Sequence, residues 1–102
     1  MREDPETTWL VDRIIEMAKN DPDLYDRQIL QYEETLSDKD TMEAIQLANP
    51  GEDMRVQIRA GIKHIKTMHS LVIQAIAARD EGKREELQRL RAEIAANSDQ
   101  SA

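Results

Sequence analysis

The sequence predicts an all-α protein of about five helices, and three observations carry that prediction. Apolar residues recur at three- and four-residue spacing along the chain, most regularly over about 52–79. Breakers separate the periodic stretches: Asn20-Asp21-Pro22, Asn49-Pro50-Gly51 and Asp80-Glu81-Gly82. Phenylalanine is absent and Trp9, Tyr25 and Tyr32 are the aromatic residues, a poor endowment for a sheet built on aromatic cross-strand pairs. The expected architecture is a single domain over 1–96, in which one long central helix (about 52–79) turns back as a helical hairpin. It packs as a helical-bundle dimer, and 97–102 forms a frayed tail.

Each element has its own justification. Asp4-Pro5 sets a capping side chain before a proline at the first helical position, where the missing N–H costs nothing. The helix that follows, about 5–19, places Leu10, Ile14, Met17 and Ala18 on one face, widened by Val11 and Ile15. Asn20-Asp21-Pro22 repeats the device and opens a second helix, about 22–36, with Tyr25, Ile29, Tyr32 and Leu36 down one side. Ser37-Asp38-Lys39-Asp40 resembles a capping box with Asp in the place of Glu, and starts a short helix to Ala48 that buries Met42, Ile45 and Ala48. Asn49-Pro50-Gly51 is the strongest breaker and the expected main bend. Beyond it, Met54, Ile58, Ile62, Ile65, Met68, Val72 and Ile76 form one stripe along a helix that would be about 40 Å long. Gly82 suits a left-handed C-terminal cap, and a last helix, about 83–96, carries Leu87, Leu90 and Ile94.

Charge is unevenly divided. Residues 1–53 hold five basic and fifteen acidic side chains, a net of −10, whereas residues 54–102 hold nine and six, a net of +3. No Asp or Glu occurs between Met54 and Arg79, where Arg55, Arg59, Lys63 and Lys66 fall within an arc of about 80° and make a basic stripe. The expected use of that stripe is internal: it faces the acidic rims of the N-terminal helices or of a second subunit. Leu71-Val72-Ile73-Gln74-Ala75-Ile76-Ala77-Ala78 is apolar nearly all round, more than a small monomer readily covers. Leu71, Val72, Ile73, Ile76 and Ala77 are therefore the expected self-association residues of a homodimer.

These patterns bound function more than they name it. The acidic start, Met1 to Glu6, has no basic segment leading into an apolar one, so no secretory leader is expected. No apolar run approaches the roughly 18 residues of a membrane span. The absence of cysteine fits a reducing compartment, and a cytoplasmic location without membrane contact is expected. A net charge of −7 argues against nucleic acid as a general partner. His64 and His69 are five residues apart, turned about 140° from each other on a helix, and do not converge on one metal. No catalytic, cofactor-binding or metal-binding residue is assigned.

The leading expectation is a small non-enzymatic regulatory or adaptor protein that meets another protein through helical surfaces. An alternative is an acidic decoy, an immunity-type protein, DNA mimic or phage inhibitor that neutralises a basic nucleic-acid-binding partner. Its contacts would be Asp21, Asp23, Asp26, Glu33, Glu34, Asp38 and Asp40. A third, a small all-α metal-dependent nucleotide hydrolase, would draw on carboxylate pairs such as Glu34/Asp38 and Asp40/Glu43.

Overall fold

The computed structural model describes the backbone of residues 5–100 and the side chains of residues 9–98. Among the described residues every regular element is a helix: α1 (Pro5–Asn20), α2 (Leu24–Ser37), α3 (Lys39–Ala48), α4 (Met54–Asp80) and α5 (Arg84–Gln100). The expected capping residue Asp4 lies outside the described residues. The last helix runs past its expected end near residue 96. Helix α5 continues to Gln100, with the Asn97 amide donating to the Glu93 carbonyl at 2.9 Å, while 101–102 lie outside the described residues.

The helix limits have local causes. Asp38, not Ser37, caps α3: its carboxylate accepts from the amides of Asp40 (3.1 Å) and Thr41 (3.2 Å). The Asp53 carboxylate does the same for α4, accepting from the Val56 amide at 3.3 Å. The turn between α3 and α4 is tied by one side chain. The Gln46 amide nitrogen donates to the carbonyls of Asn49 (3.2 Å) and Glu52 (2.6 Å), and its oxygen accepts from the Met54 amide (3.1 Å). Helix α4 ends in a Schellman motif, with Lys83 N bonded to the Ala78 carbonyl at 2.9 Å and Gly82 N to that of Arg79 at 3.2 Å. That motif needs a left-handed residue, and Gly82 supplies it at φ 71°.

Helix α4 is the spine, and each other helix packs on it. The main core lies along its C-terminal half. Val11, Ile15 and Ala18 of α1, Tyr25 of α2, Met68, Val72, Ala75 and Ala78 of α4, and Leu90 and Ile94 of α5 are buried together. Ala75 and Ala78 are buried on the α4 side of this core, and Leu90 and Ile94 on the α5 side reach complete burial. Each of those two contributes about 1.5–3 kcal/mol of transfer free energy. At the other end of α4, where α2 and α3 cover it, Ile29, Met42 and Ile58 are the buried apolar residues. The molecule measures 48 × 28 × 17 Å. Its short dimension is under two helix diameters, at about 10–12 Å each, so much of α4 has a helix on one side and water on the other.

Helix α1 corrects the expected face. Val11, Ile15 and Ala18 point inward, while Leu10 and Met17 are exposed and Ile14 sits between.

Candidate interaction surfaces

Three surfaces among the described residues offer contact faces, and two of them are charged. The first is the outer flank of α1, where Leu10 (53% exposed) and Met17 (47%) stand two turns apart, with Trp9 (65%) beside Leu10. Ion pairs hold the rest of α1 against the hairpin: Asp12 to Arg91 at 3.2 Å, Glu16 to Arg79 at 3.4 Å and Lys19 to Asp80 at 3.8 Å. Helix α1 therefore cannot roll its apolar flank inward without breaking them.

The second surface is the acidic outer face of α2. At about 100° per residue, Asp23, Asp26, Leu30, Glu33, Glu34 and Ser37 share an arc of roughly 100°. Leu30 is exposed at the middle of this face, in an open groove lined by Glu33, Glu34, Ser37 and Asp38. The seven carboxylates expected to meet a partner fall into two groups. Asp21 is engaged by the Arg27 guanidinium through both oxygens, and this charge-assisted bonding holds its carboxyl below the usual range. Asp38 is held low chiefly by the backbone amide of Thr41 that it caps, and Asp26 lies 3.9 Å from the His69 imidazole. Asp23, Glu33, Glu34 and Asp40 make no ion pair among the described residues.

The third surface is the basic stripe of α4. The expected pairing with the N-terminal helices is not found among the described residues. Arg55 donates to the Leu36 carbonyl at 3.4 Å, and Arg59, Lys63 and Lys66 form no ion pair among the described residues. Charge does bridge the two halves of the chain, through Arg79 and Arg91 rather than through the stripe. The reason is azimuthal. Helix α2 meets α4 at His69 and at Arg55, whereas Arg59, Lys63 and Lys66 lie about 80–140° around α4 from the buried Ile58.

The five expected self-association residues are also divided by the fold. Val72 is fully buried inside the monomer, and Leu71 and Ile76 are half-buried against the core. Ile73 and Ala77 remain on the surface, continuing the basic stripe toward the C-terminus of α4. Among the described residues no three His, Asp or Glu side chains come together to hold a metal ion. No described helix is long and apolar enough to cross a membrane.

Sequence reasoning missed the α1 flank and the stacked pair Tyr25–His69. The flank was legible only as one edge of a wide apolar arc, and the pair not at all, because it joins residues of different helices. Compared with known proteins, the chain matches no family model, no curated relative and no solved structure.

Proposed function

We propose that this chain is a non-enzymatic adaptor or regulatory protein that binds another protein through its helical surfaces, with the outer flank of α1 as the docking row. The observation that carries this reading is the placement of Leu10 and Met17 in water at one azimuth, with Trp9 alongside. Large apolar and aromatic side chains of this kind supply most of the binding energy where helices meet protein partners. Burial of Val11, Ile15 and Ala18 sets the flank's orientation, and exposed ion pairs to Arg79, Arg91 and Asp80 add to it, so the row is ordered before binding.

The test compares the wild-type chain with a Leu10→Asp/Met17→Asp variant as baits in extracts of its own cells. The variant keeps the wild-type melting temperature, because neither side chain belongs to the core, and loses the captured protein. A variant that captures the same protein as the wild type moves the docking row elsewhere.

A second reading, the acidic decoy, draws on Asp23, Glu33, Glu34 and Asp40, the carboxylates left without ion pairs among the described residues. The two readings differ in salt dependence. Capture through the α1 flank persists as salt rises, whereas capture of a basic partner by carboxylates falls steeply.

A further inference from the structure

Two rows of unpaired charge of opposite sign lie side by side on one face of the molecule. Helix α2 runs antiparallel along α4, with Tyr25 against His69 at one end and the Leu36 carbonyl near Arg55 at the other. Asp26 turns toward His69, so the carboxylate flank of α2 lies on the same side of α4 as the basic stripe. Glu33 and Glu34 occupy one row, and Arg59, Lys63 and Lys66 the other. Neither row is neutralised by an ion pair among the described residues.

We infer that this face binds a second copy of the same chain, about a two-fold axis that runs along the seam between α2 and α4. The geometry selects both occupant and axis. Rotation by a half-turn about an axis parallel to the two rows lays the acidic row of each subunit on the basic row of the other. A half-turn about an axis across the rows would lay acid on acid. The first arrangement is isologous and closed, the commonest solution for a small homo-oligomer. It places Leu30, exposed between the carboxylates, inside the contact, and it continues along α4 to the exposed Ile73. The interface differs from the one centred on Leu71 to Ala78, because Val72 is already buried within the monomer. It also uses another face than the α1 flank, so it can fail while the adaptor reading stands.

The experiment is sedimentation equilibrium at physiological salt, where a Debye length of about 8 Å screens distant charges and leaves facing rows to interact. The wild-type chain sediments as two subunits of 11.8 kDa. An acid-reversed variant, Glu33→Lys/Glu34→Lys, and a base-reversed variant, Arg59→Glu/Lys63→Glu, each sediment as one subunit, and an equimolar mixture of the two returns to two. The acid-reversed variant is the decisive one. It lowers the net charge from −7 to −3, so general repulsion alone would make it associate more tightly than wild type, whereas row-on-row pairing predicts dissociation. Circular dichroism on each variant confirms that the helices persist; the mixture provides the same control by regaining the dimer. A monomeric wild-type chain, a dimer unmoved by both reversals, or a mixture that stays monomeric overturns the inference. So does a monomeric wild-type chain whose stripe binds a short DNA duplex and loses it on Arg59→Glu/Lys63→Glu, which would make the occupant a nucleic acid.

Discussion

Tyr25 stacks on His69 with ring centroids 5.2 Å apart and planes 26° from parallel, which fastens the start of α2 to the middle of α4. Tyr25 is buried, and its ring joins the core formed by α1, α4 and α5. Burial pushes its hydroxyl above the ordinary value of 10.0. The phenolate is thus disfavoured in the folded state and tolerated in the unfolded one. The stability linked to this group is present below about pH 10 and is lost as pH rises beyond it. Urea denaturation between pH 8 and 11 should show the wild type weakening at the alkaline end and Tyr25→Phe weakening less. Tyr25→Ala, which empties the site, should cost about 3 kcal/mol at neutral pH.

Asp38 gives the opposite sign. Its carboxyl is lowered from 3.8, first by the backbone amide of Thr41, then by the Thr41 side chain, and to a lesser degree by the Asp40 amide. Hydrogen bonds of this kind favour the charged form, so the linked stability is present above about pH 4 and is lost as pH falls through the lowered value. Thermal melts across pH 2–6 should therefore show a larger acid loss in the wild type than in Asp38→Asn, which keeps a capping oxygen without a titrating proton. Asp38→Ala should melt lower than Asp38→Asn at neutral pH.

The helix limits were legible because caps and breakers are local. Asp53, Asn49-Pro50-Gly51 and Gly82 act within four residues of themselves, and the observed ends of α4 lie within two residues of those expected. The face of α1 was less legible. Leu10, Val11, Ile14, Ile15, Met17 and Ala18 spread over an arc of about 160°, and either edge could have faced inward on periodicity alone. The choice is made by α5 and by partners such as Arg91 and Arg79, distant in sequence. The absence of pairing between the stripe and the N-terminal helices among the described residues has a related reason. Net charges of −10 and +3 announce that the two halves attract, but which cation meets which carboxylate depends on helix azimuths that composition does not record.

Gly82 and Gly61 make a contrasting pair. A Cβ added at either would meet nothing within 4 Å, so space does not distinguish them. Backbone conformation does. Gly82 sits at φ 71°, and Gly82→Ala should cost about 1 kcal/mol through left-handed strain. Gly61 lies inside α4, where Gly61→Ala should add roughly 0.5–1 kcal/mol by restricting the unfolded chain. Chemical denaturation of the two variants reads opposite signs, and equal signs would contradict the assigned backbone at Gly82.

Val72 and Ile73 are adjacent in sequence and opposite in consequence. Val72 is fully buried and Ile73 is 53% exposed. A glutamate at position 72 would enter the core of α1, α4 and α5 unpaired, at a cost of several kcal/mol. A chain this small has only about 5–15 kcal/mol in total, so Val72→Glu should lose most of its cooperative melt. Ile73→Glu keeps the fold, because its side chain leaves no cavity and reaches water directly. Its melting temperature should stay within a few degrees of wild type, while any contact made by the outer end of the α4 face is lost. Paired melts and sedimentation on the two variants thus separate folding from assembly. An Ile73→Glu chain that unfolds would show that this position is covered in the native state, and that the folded unit is larger than one subunit.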